Sequence, residues 1–165
     1  LKKALLLCTV TVSILALIGC WKSASDQASE HYEALRPVIE GATEVLDEMY
    51  AIDEQLGTGT ITSHSAHNRV NQLKAEFLSM KGQLPSIKVP KDFEDEFQLM
   101  NNWMDQGEKT FDLMLVSIEK EAASVAEFDR ALNDFYSAWD KETIMYDLMD
   151  EAYTRQMTEK GVELY

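Results

Sequence analysis

Four apolar stripes run along this chain in steps of three and four residues, and they confine it to a helical fold. The first is Tyr32, Leu35, Ile39, Ala42, Leu46, Met49, broadened by Val38, Val45 and Ile52. The second is Ala66, Val70, Leu73, Phe77, Met80, Leu84, and the third is Phe93, Phe97, Met100, Met104, Gly107, Phe111, Met114, Ile118. The fourth runs Phe128, Leu132, Phe135, Trp139, is disturbed near Glu142 and Thr143, and resumes at Tyr146, Met149, Tyr153, Met157. Residues three and four apart share a helix face, so each stripe is a seam that needs burial. A sustained period near 3.5 residues is the pattern of helices packed nearly parallel to one another.

The breaks between stripes agree. Gly57-Thr58-Gly59-Thr60 ends the first helix, and Pro85 to Pro90 separates the second from the third. Ser124-Val125-Ala126-Glu127 has the form of a capping box that restarts the chain, and Lys160-Gly161 is a C-terminal stop. Pro37 lies inside the first seam, where it either kinks that helix or begins it. Short connections place successive helices side by side. The expected fold is all-α, an antiparallel up-down-up-down four-helix bundle with a short second helix, spanning residues 28–165.

Residues 1–19 have a different composition. Lys2 and Lys3 precede an apolar run from Ala4 to Ile18, closed by Gly19. This is the layout of a secretory signal peptide, and the run is short for a membrane span of about 20 residues. Its end, Leu17-Ile18-Gly19-Cys20, resembles the lipobox of bacterial lipoproteins. That resemblance covers residues 1–20 alone and implies a diacylglyceryl group on the sulfur of Cys20, followed by cleavage that makes Cys20 the first mature residue. It implies an extracytoplasmic protein tethered by its acyl chains to a bacterial cell membrane or outer membrane. Trp21 follows the cysteine instead of the Asp that in two-membrane bacteria holds such proteins at the inner membrane; the envelope type stays open. Residues 20–27 read as lipidated Cys and polar tether, which reaches at most about 24 Å over its seven residues after the cysteine.

Charge narrows the partners. The formal net charge is −14; without Lys2 and Lys3, 13 basic residues face 29 acidic ones. Phosphate backbones repel such a body, so nucleic-acid binding is not expected, and attachment to a membrane must come from the lipid. The segment 57–90 differs, with Arg69, Lys74, Lys81 and Lys88 against Glu76 alone. It is therefore expected to be a basic second helix between two acidic neighbours. The mature region has no cysteine besides Cys20, which leaves no disulfide to form.

Candidate chemistry is sparse. His31, His64 and His67 are not preceded three residues earlier by the Glu that di-iron bundles require. His64 and His67 share a helix start, but in a polar stretch that reads as solvated surface and capping. Met100, Met104, Met114 and Met149 lie on seams, and Met145 repeats at Met149; these read as core filler in place of copper ligands. The aromatics Phe128, Phe135, Tyr136, Trp139, Tyr146 and Tyr153 read as core, with a cleft easiest to open near Gly107 and Glu142. No metal, cofactor or catalytic residue is assigned. The expectation is a monomeric, non-enzymatic binding or structural module of the cell envelope. Its acidic face (Asp129, Asp134, Asp140, Asp147) would take a cationic partner; the alternative is a small-ligand or metal carrier with a site between helices.

Overall fold

The computed structural model describes residues 22–121 and 124–162, so the leader and Cys20 lie outside the described residues. Those residues form four α-helices and no strand: α1 (Ala24–Gly57), α2 (Ser63–Lys81), α3 (Glu94–Lys120) and α4 (Val125–Glu159). Two 3-10 turns, Leu84–Ser86 and Lys91–Phe93, carry the chain from α2 to α3. The second helix is the short one, 19 residues against 34, 27 and 35. No helix among the described residues is long and apolar enough to cross a membrane.

The helix ends follow local chemistry. Ser23 caps α1 in a reciprocal box with Asp26, so the helix begins four residues inside the span expected to be tether. At its other end Gly59 takes φ +69°, and Thr60 N–H and Gly59 N–H return to the carbonyls of Gln55 and Leu56. Gly161 (φ +73°) repeats this at the end of α4, with Val162 bonded to Met157 and Gly161 to Thr158. Both are the double closure that a left-handed glycine permits. The capping box at Ser124 does not form: its hydroxyl donates to the Glu127 carboxylate, 3.2 Å away, and caps no backbone N–H. Pro37 does not begin the helix, because α1 starts at Ala24 and continues through it. Its ring is on the exposed side, so the Glu33 carbonyl that loses a partner is left to water.

The seams are the core. Leu35, Met49, Val70, Phe77, Phe111, Met114, Phe135 and Met157 all fall below 2% exposure. Successive helices pack against each other, α3 on α4 most extensively. α1 and α4 approach through long side chains: Tyr50 stacks on Trp139 with centroids 3.8 Å apart and planes within 4°. The bases of α2 reach both neighbours, Arg69 to Glu48 of α1 at 3.0 Å, Lys74 to Asp112 of α3 at 2.5 Å, and Lys81 to Asp105 and Glu108 of α3. The basic second helix between acidic ones is thus paired in space, though exposed pairs of this kind contribute little each.

Gly107 is a contact point and opens no cleft. A Cβ added there would lie 2.5 Å from Cζ of Phe77, so the missing side chain is what lets the Phe77 ring sit on α3. Gly107→Ala is expected to lose about 1–3 kcal/mol to overpacking, against about 1 kcal/mol gained in helix propensity. Urea titration measures the net, and Phe77→Leu in the Gly107→Ala background should recover part of the loss.

Candidate functional site

Two polar centres are buried at positions on the apolar seams. The first is Glu142, on the seam of α4 between Trp139 and Tyr146 and only 4% exposed. Its carboxylate accepts from both sides. Tyr50 of α1 donates its hydroxyl to Oε2 at 2.5 Å, and Trp103 of α3 donates its indole N–H to Oε1. The disturbance seen in the fourth seam is therefore a carboxylate joining three helices. Burial pushes the Glu142 carboxyl above the ordinary carboxylate range, the two hydrogen bonds pull it back, and Asp47 and Asp147 push it up again. The Tyr50 hydroxyl is raised by burial and then by the Glu142 charge, which keeps it a donor.

The second centre is His31, near the start of α1 and 2% exposed. Its ring lies among Phe93, Phe97 and Tyr153. Nδ1 is 3.0 Å from the Lys88 carbonyl, which only accepts, so Nδ1 carries the proton and Nε2 is left to accept from the Tyr153 hydroxyl at 3.4 Å. Burial lowers the pKa of His31 and the Lys88 carbonyl partly restores it, which favours the neutral ring at neutral pH. This bond pins the α2–α3 connection to α1.

Beside His31 the surface opens into two adjoining clefts that share Lys22, Gln27 and Pro90. One, of about 460 Å³, is also lined by Glu30, His31 and Lys88. The other, of about 400 Å³, is lined by Lys91, Asp92, Phe93 and Lys160. Four lysines thus border one region of a strongly acidic chain.

The residues expected to carry function fall as follows. Asp129, Asp134, Asp140 and Asp147 are all exposed on α4. At about 100° per residue, Asp129, Asp140 and Asp147 share one face and Asp134 lies about 140° round from Asp129. Two exposed apolar residues, Ile144 (58%) and Leu148 (52%), stand beside Asp140 and Asp147. His64 accepts from Asn68, and His67 accepts from Asn71 and lies 3.3 Å from Glu119. Among the described residues no group of three or more His, Cys, Asp or Glu is arranged to hold a metal. Met100, Met104, Met114 and Met149 are in the core.

A small pocket of about 120 Å³ lies between the end of α1 and the start of α4, lined by Leu56, Ile118, Phe128 and Leu132, with Asp53 and Tyr136 at its edge. The Tyr136 hydroxyl donates to Asp53 at 3.1 Å. Burial raises the Asp53 carboxyl and Tyr136 lowers it. At both Asp53 and Glu142 the leading cause of the raised carboxyl is burial.

The signs of the two centres oppose. Glu142, raised in the folded state, contributes stability that is fully present below its ordinary 4.5 and lost as pH rises through its folded pKa. His31, lowered in the folded state, contributes stability present above 6.5 and lost as pH falls through its folded pKa. Melting curves between pH 7.5 and pH 4.5 should therefore change shape with each variant. Glu142→Gln removes a gain on acidification, and His31→Gln removes a loss. Identical pH profiles for wild type and both variants would contradict the two assignments.

No family model, curated protein or solved structure matches this chain.

Proposed function

We propose that this protein is a lipoprotein of the bacterial envelope, held by acyl chains on Cys20, whose body is a non-enzymatic binding or structural module. The observation that carries this reading is Leu17-Ile18-Gly19-Cys20 behind a charged and apolar leader, followed almost at once by a capped helix. In this reading the tether shrinks to Trp21 and Lys22, and the body stands directly on the membrane. Its fold is an antiparallel up-down-up-down four-helix bundle. The order of partners supports that topology. Lys74 and Lys81 ascend α2 while Asp112 and Glu108 descend α3, and His31 and Tyr50 ascend α1 while Tyr153 and Glu142 descend α4.

Three observations favour a binding or structural module over a carrier with a site between helices. The interior near Gly107 is filled by the Phe77 ring, and both carboxylate oxygens of Glu142 are engaged by protein donors. The apolar pocket at Asp53 holds about 120 Å³, well under the roughly 300 Å³ at which small-molecule sites begin. A partner would meet the exposed strip of α4 where Asp140 and Asp147 flank Ile144 and Leu148, which suits a surface both cationic and apolar. The protein acts as a monomer.

Anchoring is tested directly. Cys20→Ala should block maturation of the precursor and abolish incorporation of a fatty-acid probe; labelling at the wild-type level would overturn the reading. For the partner strip, a photo-crosslinker at Ile144 in the intact envelope should yield an adduct that Asp140→Lys with Asp147→Lys removes. An adduct indifferent to those charges would exclude a cationic partner.

A further inference from the structure

The four lysines around Pro90 have no role in holding the fold's interior, and their place in the chain is informative. Lys22 and Lys160 are engaged, with Glu30 and Asp92 respectively, and among the described residues these are the only acids that line either cleft. Lys88 and Lys91 are exposed and make no ion pair with the described residues. Other acids near these lysines in sequence, Asp26, Glu94, Asp95 and Glu159, belong to the first turns of α1 and α3 and the last turn of α4 and line neither cleft. The pair of clefts is thus a basic concavity on a chain of net charge −14.

Resting on the lipid-anchor reading, we infer that this concavity is a docking surface for the phosphate headgroups of anionic phospholipids in the membrane that holds Cys20. Trp21 alone lies between Cys20 and Lys22, and the two residue steps reach at most about 7 Å. A cysteine whose acyl chains lie in the bilayer therefore puts Lys22, and the clefts it borders, at headgroup depth. There each lysine raises the local affinity for an anionic surface about five-fold. The carboxylates at the far end of α1 do not cancel this. α1 is 34 residues long, about 51 Å at the rise of an α-helix, so the carboxylates towards its far end stand several screening lengths of about 10 Å from the surface. The same two terms orient the body: the lysine-bordered clefts are drawn to the headgroups, and the carboxylates farther along the helices are pushed away from them. The lipid supplies retention, and the lysines supply posture. His31 shapes the concavity through its bond to the Lys88 carbonyl, which sets the position of the Lys88–Pro90 segment.

The test uses the full lipidated chain in vesicles of phosphatidylcholine, alone or with an equal amount of phosphatidylglycerol. A fluorophore on Ser86→Cys, beside Lys88, is read against one on Thr58→Cys at the far end of α1, with a quencher carried on the headgroups. Flotation of the vesicles reads the anchor separately. The expected result is flotation on both vesicles, with quenching at position 86 at least two-fold greater when phosphatidylglycerol is present and position 58 unchanged. Lys88→Glu with Lys91→Glu should return position 86 to its phosphatidylcholine level without loss of flotation. Lys88→Gln with Lys91→Gln should fall between, and circular dichroism of both variants should remain helical. Equal quenching at position 86 on both vesicles overturns the docking surface and leaves the anchor standing. Flotation confined to phosphatidylglycerol vesicles and lost in the Glu variant overturns the anchor and keeps the docking surface. Inorganic phosphate that reverses the quenching at constant ionic strength assigns the clefts to a free anion and overturns the lipid.

Discussion

The carboxylate of Glu142 is the interaction on which the arrangement of the helices turns. It leaves α4, accepts from Tyr50 of α1 and from Trp103 of α3, and is sealed from water. A buried charge without partners is too costly to keep, so the geometry that supplies both donors is the geometry that the fold must adopt. α1 and α4 need such a tie, because they meet through side chains more than through close backbones. The Tyr50–Trp139 stack, the Tyr136–Asp53 bond and the contact of His31 with Tyr153 are further bridges across the same seam. A Leu at position 142 would let the neighbouring aromatics settle in more than one way; the carboxylate accepts only the way that satisfies Tyr50 and Trp103.

Most of the helical framework was legible in the sequence, since apolar spacing and glycine or proline punctuation act locally. Gly59 and Gly161 close their helices as their φ values require, and the basic residues of α2 find the acids of both neighbours. The Ser124 box failed because side chains three residues apart can bond each other instead of the backbone. The polar centres were missed for a different reason. Glu142 was visible as an interruption of an aromatic seam, yet its partners lie 92 and 39 residues away, beyond any local pattern. His31 sits between Ala28 and Leu35, on the buried stripe at helical spacing. A polar residue at a seam position, flanked by seam residues on both sides, was the signal for both. The lysine concavity left no local trace at all: Lys22, Lys88, Lys91 and Lys160 come together only when three separate segments fold against one another.

The charge layout then takes on an order that the net value conceals. Acidic helices flank a basic one, with bonds from α2 to both sides. The exposed aspartates of α4 stand apart from that pairing, beside Ile144 and Leu148. The lysines gather where the chain enters its first helix. In the proposed anchoring, the end tethered to lipid is the one that carries the lysine-bordered clefts.

Coupling of α1 to α4 through Glu142 is directly measurable. A double-mutant cycle of Tyr50→Phe and Glu142→Leu, followed by urea unfolding, reads that coupling directly. Loss of the Tyr50 hydroxyl should cost about 1.5–3 kcal/mol when Glu142 is present and little when it is absent, giving a coupling of the same size. A coupling within about 0.5 kcal/mol of zero would mean that the two residues are neighbours without being partners.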